Sequence, residues 1–131
     1  MSAVTTSAAA PPQVLVVDDD VAMRSALETS FLRHGWRVET AAGANEAIFK
    51  FRRRQYALVV TDIRMPDGDG FAVMRQVRAC EPQTGVILLT AFASVPDAVM
   101  AMKDGACDYI RKPFSPEQVK EHVIPLLDGK K

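Results

Sequence analysis

Five short apolar runs alternate along this chain with stretches of helical pattern, and this alternation constrains the fold more than any other feature. The runs are 13–18, 36–41, 57–62, 85–91 and 107–112, and the helical stretches are 21–35, 44–55, 70–80, 94–105 and 115–124. Four of the five runs are too apolar or too short to show a solvent-facing side, which is typical of strands covered by helices on both faces. The alternation therefore predicts an α/β fold with a parallel, doubly wound, five-stranded sheet in one domain.

Punctuating residues at the ends of the helical stretches support this division. Gly35 and Gly105 stand where helices should stop. Ser94 and Ser115 are predicted N-caps, each followed three positions later by an acidic or amide residue, and Pro116 suits a first helical position.

The two ends of the chain are expected to lie outside the folded domain. Residues 1–12 are mostly Ala, Ser, Thr and Pro and predict a disordered N-terminal tail. The domain is predicted over 13–127, with 128–131 as a C-terminal tail or a linker stub. Pro125 directly follows the last helical stretch, so that helix is expected to end or kink near Ile124.

Composition argues against several classes of protein. Sixteen basic and sixteen acidic residues cancel, so we expect no direct nucleic acid binding and no attraction to an anionic membrane. No apolar run approaches the ~20 residues of a membrane span, and a cytoplasmic location is expected. Cys80 and Cys107 are predicted to be reduced core residues, and His34 and His122 lack metal-ligand spacing.

Polar side chains follow four of the five predicted strands at the point where each strand ends. They are Asp18 and Asp19 after the first strand, Asp62 at the end of the third, Thr90 at the end of the fourth, where the apolar Ala91 stands beside it, and Lys112 at the end of the fifth. Ligands of doubly wound sheets bind outside the carboxyl ends of the strands. We therefore expect these residues to form one site.

Three consecutive carboxylates, Asp18, Asp19 and Asp20, raise an electrostatic problem, since two carboxylates ~4 Å apart repel by about 4 kcal/mol at a protein surface. In one interpretation Asp20 caps a helix and the other two face water. In the other, Asp18, Asp19 and Asp62 bind a divalent cation. Mg²⁺ is the predicted cofactor, with Mn²⁺ as an alternative ion, and Lys112 neutralises the acids in its absence.

Asp62 is the candidate nucleophile of such a site. A carboxylate can attack a phosphoryl group and form an aspartyl phosphate. The stretch that follows it, "IRMPDGDG" (63–70), is rich in turn-forming residues, which would allow backbone carbonyls to approach a metal.

The motifs "VLVVDDD", "VVTDIRMPDGDG", "ILLTA" and "DYIRKPF", in this order and spacing, resemble the receiver domains of bacterial two-component response regulators. The resemblance covers roughly residues 13–124, and the sequences of these motifs are most similar to receivers of nitrogen-regulation and flagellar-regulation type. It implies a flavodoxin-like (βα)5 fold with strand order 2-1-3-4-5.

The resemblance also implies residue roles. Asp18 and Asp19 would hold Mg²⁺ together with Asp62, the phosphoacceptor, and the backbone carbonyl of Arg64. Thr90 would turn its hydroxyl toward the phosphoryl group, Ala91 would leave room for it, Lys112 would pair with it, and Tyr109 would be the aromatic switch residue. The Lys112–Pro113 peptide is expected to be cis, which only an X–Pro bond allows at low cost.

By the same resemblance, the chain is expected to be a phosphorylation-dependent signalling switch and not an enzyme beyond its own phosphotransfer and slow dephosphorylation. Its expected partners are a sensor histidine kinase, a second copy in a homodimer formed on phosphorylation, and, if the chain is a fragment, a downstream ATPase and DNA-binding output domain. Transcription would then be regulated through a domain or partner outside this chain.

Three alternatives compete with this interpretation. Haloacid-dehalogenase-type phosphatases place an aspartate nucleophile after a first strand and use Mg²⁺, and "DDDVA" (18–22) nearly fits, although Ala22 stands where that pattern has Thr or Val. A dinucleotide-binding domain is the second alternative, but the glycine-rich turn that such a domain requires is missing from this sequence. A receiver-like module that binds a partner without being phosphorylated would not need the complete set of the acidic pair, Asp62, Thr90 and Lys112.

Overall fold

The computed structural model describes residues 11–90 and 95–128, and the side chains of 95–98 are not described. Most of the expected tail (1–12), Ala91, the N-cap expected at Ser94 and residues 129–131 lie outside the described residues. Pro12 is already joined to the sheet, because its carbonyl accepts a hydrogen bond from the Arg37 N–H at 2.9 Å.

Seven strands and five helices make up the described chain. They are β1 (Gln13–Val17), α1 (Val21–His34), β2 (Arg37–Ala41), α2 (Ala44–Phe51), β3 (Leu58–Asp62), β4 (Arg64–Met65), β5 (Gly68–Asp69), α3 (Gly70–Cys80), β6 (Gly85–Thr90), α4 (Val95–Lys103), β7 (Asp108–Arg111) and α5 (Pro116–Leu127). The main strands begin and end within one residue of the predicted positions.

Five of the strands form one parallel sheet in the order β2-β1-β3-β6-β7. The predicted fold class and strand order are thus confirmed, with β6 and β7 as the fourth and fifth strands of the main sheet. The extra strands, β4 and β5, are two residues long and pair only with each other as a small antiparallel hairpin, which the sequence did not predict.

Two hydrophobic clusters cover the two faces of the sheet. Alternate residues of β1 divide between them: Leu15 and Val17 belong to one cluster, and Val14 and Val16 to the other. Residues of α2, α3 and α4 complete the first cluster, and residues of α1 and α5 complete the second. Strands β1, β3 and β6 are buried almost throughout, which explains why their sequences show no polar alternation.

The predicted helix signals act as expected where the structure describes them. Gly35 adopts a left-handed conformation at φ 106° and ends α1, and Gly105 (φ 112°) follows α4. Ser115 and Gln118 form a capping box at the start of α5, with Pro116 in its first turn.

Helix α2 ends at Phe51, four residues before the predicted position. The chain has to leave the helix there to bury Tyr56, whose hydroxyl donates to Glu39 at 2.8 Å. The next residue, Ala57, already donates its N–H to the carbonyl of Gln13, the first residue of β1.

Of the two outcomes expected at Pro125, an end of α5 near Ile124 is wrong, because the helix continues through Pro125 to Leu127, while a kink there stays a prediction. Pro125 removes one hydrogen bond of the helix, but contacts with residues outside α5 hold its last turn in place. Asp128 donates its N–H to the Ile124 carbonyl at 2.7 Å, and its carboxylate accepts from Trp36 Nε1 at 3.1 Å and pairs with His34 Nε2 at 2.6 Å.

The cysteine prediction is half correct. Cys80 and Cys107 are free thiols, as expected, but both are exposed and not core residues. Both stand beside the ends of elements, at the last residue of α3 and just before β7, where the chain returns to the surface. Among the described residues, no helix combines the length and apolar character needed to cross a membrane.

We expect Asp128→Ala to fray the last turn of α5, because the substitution removes the contacts to Trp36 and His34 that hold the turn beyond Pro125. The free energy of unfolding should fall by about 1 kcal/mol, measured by urea denaturation. Amide exchange should accelerate at Leu127 and Asp128. Glu121→Ala, which removes an exposed carboxylate from the same helix, is the control, and equal effects of the two variants would contradict the explanation.

Candidate functional site

The carboxyl ends of β1, β3, β6 and β7 meet at one edge of the sheet, and the predicted site residues gather there. Asp18, Asp19 and Asp62 each place a carboxylate oxygen within 4.8 Å of the others. Lys112, beyond the end of β7, lies 3.3 Å from Asp62 Oδ2 and 3.9 Å from Asp18 Oδ2. The expected convergence of the acidic residues and the lysine is therefore present in the structure.

The three consecutive carboxylates diverge into different surroundings. Asp18 is fully buried, whereas Asp19 is exposed. Asp20 caps α1, since its Oδ1 accepts the Ala22 N–H at 3.1 Å. The helix cap expected at Asp20 is thus confirmed, whereas the expectation that Asp18 faces water is wrong. Asp18 and Asp19 belong instead to the carboxylate cluster, and its binding of a cation stays a prediction.

Asp18 is the most constrained carboxylate of the site. Its Oδ1 accepts the Asp20 N–H at 2.9 Å, but its buried Oδ2 accepts no hydrogen bond from the described residues. Burial raises the pKa of Asp18 to about 6, with repulsion from Asp62 adding to the effect and the Asp20 hydrogen bond and Lys112 opposing it. A buried carboxylate oxygen without a donor is costly unless a cation approaches it.

Asp62 is also buried, with 6% of its surface exposed. Its Oδ1 accepts the Ile63 N–H at 2.9 Å, and its Oδ2 accepts from Lys112 Nζ at 3.3 Å. Burial raises the pKa of Asp62, while the Lys112 ammonium and the hydrogen bonds oppose that rise. The backbone therefore fixes Asp62 Oδ1, while Asp62 Oδ2 faces the Lys112 ammonium group.

The donor set fits a hard divalent cation. Carboxylate oxygens are the ligands such ions prefer, and the unsatisfied Asp18 Oδ2 stands beside two further carboxylates. Arg64, whose carbonyl was expected to join them, lies on β4 and lines the cleft next to Asp19.

That cleft, about 840 Å³ in volume, is also lined by Thr90 and Tyr109. Thr90 ends β6 and is 1% exposed, while Tyr109 lies on β7 and packs against the same cluster as Leu88. The Lys112 N–H donates to the Thr90 carbonyl at 2.6 Å, and the Lys112–Pro113 peptide is cis, as the resemblance implied. Ala91, expected beside Thr90, lies outside the described residues.

Two residues that support the cluster were not found from the sequence. Arg24, on α1, donates from Nη1 to the Asp18 carbonyl at 2.8 Å and fixes the turn between β1 and α1. A Cβ on Gly70 would lie 2.5 Å from the Asp62 carbonyl oxygen, so only glycine fits there. Gly70, the last residue of "DGDG", was a usable sequence signal of a close backbone approach, whereas no sequence signal indicated the Arg24 contact.

Comparison with known proteins assigns a family to this arrangement. A family model described as "Response regulator receiver domain" matches residues 14–124. The "Transcriptional regulatory protein TrcR" of Mycobacterium tuberculosis is 39% identical over 117 residues, which are 89% of this chain and 46% of that protein. The chain thus spans about half the length of this curated relative.

Two solved structures extend the comparison. A CheY-like receiver domain protein from Methanospirillum hungatei has a TM-score of 0.86 and 30% identity, covering 92% of this chain and 96% of that one. The beryllofluoride-activated NtrC4 receiver domain dimer has a TM-score of 0.77 and 34% identity, covering 87% and 92%. The phosphatase alternative finds no support among these matches.

We expect Asp18→Asn to stabilise the protein in the absence of divalent metal. Because the pKa of Asp18 is about 6 in the folded state and 3.8 ordinarily, the folded state binds the proton more tightly. The resulting stability is fully present below the ordinary pKa and is lost as the pH rises through the folded-state value. At about pH 7.5 the variant should gain roughly 2 kcal/mol in the free energy of unfolding over wild type.

The measurement is urea denaturation in EDTA at several pH values. At about pH 4 the gain in the free energy of unfolding should almost vanish, because Asp18 is then protonated in the folded wild type. Asp104→Asn, an exposed substitution after α4, is the control and should change stability little at either pH. A gain for Asp18→Asn that does not depend on pH would contradict the explanation.

Proposed function

Because the chain belongs to the response regulator receiver domain family, we propose that it accepts a phosphoryl group on Asp62 and changes its surface in response. The observation that carries the proposal is the convergence of three carboxylates and one ammonium group at one edge of the sheet, with Lys112 Nζ at 3.3 Å from Asp62 Oδ2. The same edge opens into the cleft that Thr90 and Tyr109 line.

Asp18, Asp19, Asp62 and the backbone carbonyl of Arg64 would hold Mg²⁺, or Mn²⁺ in its place. When bound, the ion supplies positive charge to the oxygens of the transferring phosphoryl group. The proposal is supported by the buried, unsatisfied Asp18 Oδ2 and by the all-oxygen donor set.

The reaction is a phosphoryl transfer between two nucleophiles. A carboxylate oxygen of Asp62 attacks the phosphorus of a phosphohistidine on the kinase, the P–N bond breaks, and the imidazole nitrogen leaves with the bonding pair and takes up a proton. Before the transfer the Lys112 ammonium group pairs with Asp62 Oδ2, and after it Lys112 pairs with the phosphoryl oxygens instead. Water later attacks the phosphorus of the acyl phosphate, the P–O bond to Asp62 breaks, and inorganic phosphate is released while the Asp62 carboxylate is regenerated.

The response to phosphorylation would pass through Thr90 and Tyr109. Both are on the sheet face covered by α2, α3 and α4, and both line the same cleft. The phosphoryl group adds acceptor oxygens that stabilise the conformation in which the Thr90 hydroxyl and Lys112 reach them. Ala91 would leave room for this movement, and the Tyr109 ring would follow Thr90 inward.

The wider function rests on partners outside this chain. We propose a sensor histidine kinase as phosphodonor, homodimerisation on phosphorylation, and transcriptional regulation through an ATPase and DNA-binding output domain. TrcR, by its name a transcriptional regulatory protein, is about twice as long as the matched part. The NtrC4 receiver domain, in its beryllofluoride-activated form, is a dimer.

We expect incubation with Mg²⁺ and acetyl phosphate to add one phosphoryl group per chain, because acetyl phosphate is a small donor of the same group. Intact mass and peptide mapping should place the group on Asp62, and Asp62→Asn should remove it. Asp104→Asn, an exposed substitution after α4, should leave labelling intact. Labelling on Asp18 with repeated turnover of a phosphoester, or no labelling, would contradict the proposal.

We also expect Mg²⁺ to stabilise the wild-type domain, since an ion bound only by the folded state shifts the unfolding equilibrium. At a concentration of ~100 times the dissociation constant, the free energy of unfolding should rise by about 2.7 kcal/mol. Asp18→Asn should abolish this increase although it stabilises the metal-free protein. Thermal shift titrations of wild type and Asp18→Asn, with Mg²⁺ and in parallel with Ca²⁺, measure the stability of each protein with and without metal. Equal Mg²⁺ responses in wild type and in Asp18→Asn would argue against a site that includes Asp18.

A further inference from the structure

The loop after Asp62 forms a small hairpin that has little support of its own. Strands β4 and β5 contain two residues each, with Arg64 opposite Asp69 and Met65 opposite Gly68. Its base is closed by the Gly70 N–H, which donates to the Ile63 carbonyl at 2.8 Å. Its residues are mostly exposed, and a hairpin of this size is not stable alone.

Asp67, at the tip of the hairpin, ties it to a different element. Its Oδ1 accepts the Ala44 N–H and its Oδ2 accepts the Asn45 N–H, both at 2.9 Å. These are the first two amides of α2, and the residue at the helix N-cap position, Gly43, supplies no side-chain hydrogen bond. Asp67 therefore caps α2 from more than twenty residues away in the sequence, with both carboxylate oxygens engaged.

The backbone around this contact is shaped to admit it. A Cβ on Gly43 would lie 2.6 Å from Asp67 Oδ1, so a side chain there would displace the carboxylate. A Cβ on Gly68 would lie 3.1 Å from the Ala44 Cβ, and Gly68 has a φ of 151° that favours glycine. The two backbone hydrogen bonds also lower the pKa of Asp67.

The anchored loop carries part of the candidate site. Arg64, whose carbonyl belongs to the proposed metal-binding set, precedes Asp67 by three residues and lies on β4 of the same hairpin. The Ile63 N–H, at the start of the loop, donates to Asp62 Oδ1 at 2.9 Å. A displacement of the tip would thus be transmitted over a few residues to both the metal ligand and the phosphoacceptor.

We propose that Asp67 is a positioning residue for phosphoryl transfer: by clamping the hairpin onto the first turn of α2, it fixes the Arg64 carbonyl in place for the metal. This inference rests on the proposed function of the same site. It assigns to α2, which contributes no residue to the acidic cluster, the role of a fixed support for the metal-binding loop.

The test compares four variants of the full chain. Asp67→Ala removes both hydrogen bonds, and Asp67→Asn keeps the shape but replaces one acceptor by a donor that faces an N–H. Gly43→Ala leaves the carboxylate in the protein but occupies its position. Glu46→Ala is the matched control, since Glu46 accepts the Ala42 N–H at the same end of α2 and pairs with Lys50, and neither of these partners belongs to the hairpin.

We expect Asp67→Ala to weaken Mg²⁺ binding about 10-fold in calorimetric titration, the lower end of what the loss of residues that orient a metal ligand costs elsewhere. Asp67→Asn should fall between this variant and wild type. At saturating Mg²⁺ the acetyl phosphate labelling rate should recover in large part, because the defect is in placing the metal ligand. Glu46→Ala should match wild type in both measurements, even if it destabilises α2 equally.

A double-mutant cycle adds a measurement that stability alone does not affect. If Gly43→Ala acts by displacing Asp67, its effect on Mg²⁺ affinity should be absent in an Asp67→Ala background. Amide exchange at Gly68 and Asp69 in metal-free protein should accelerate in Asp67→Ala and not in Glu46→Ala. Full additivity of the two substitutions would overturn the proposed clamp.

The outcomes also separate this inference from the proposed function. If wild type is labelled on Asp62 and Asp67→Ala binds Mg²⁺ as tightly as wild type, the positioning role is overturned while the function stands. If wild type neither binds Mg²⁺ nor is labelled, both are overturned, even where the hairpin loosens in Asp67→Ala.

Discussion

The burial of the Asp18 carboxylate beside Asp62 is the constraint on which the site depends. Each charge is unfavourable there, because the strands that end at these residues lie in the middle of a sheet covered by helices. Lys112 relieves part of the repulsion, at 3.3 Å from one carboxylate and 3.9 Å from the other. One oxygen of Asp18 still has no hydrogen-bond donor among the described residues. The fold thus loses stability by holding this cluster of negative charge at the edge of the sheet.

The surrounding chain holds this unfavourable cluster by backbone contacts from several elements. Arg24 of α1 binds the Asp18 carbonyl, Gly70 of α3 admits the Asp62 carbonyl at close range, and the hairpin between β3 and α3 is tied by Asp67 to α2. Carboxylates that repel one another would separate on a flexible support. A site made for binding charge therefore needs rigid connections outside the set of groups that bind.

Much of the site was predictable because parallel strands bring their carboxyl ends to one edge. Asp18, Asp62, Thr90 and Lys112 were each found as polar residues at the ends of apolar runs, and the structure places all four at that edge. The support was less accessible. Asp67 looked like an ordinary turn residue in "PDGDG", and nothing in that stretch specifies the amides of α2 as its partners. The persistence of α5 beyond Pro125 likewise depends on Trp36 and His34, about ninety residues earlier.

The sequence by itself determined the order of strands and helices, the two-sided burial of the sheet and the identity of the acidic residues, because these follow from local periodicity and from residue type. Tertiary structure decided which aspartate is buried, which one caps a helix and which atoms are left without a partner. Those differences come from packing between residues far apart in the chain, since the desolvation of a carboxylate depends on everything that surrounds it and not on its neighbours in sequence.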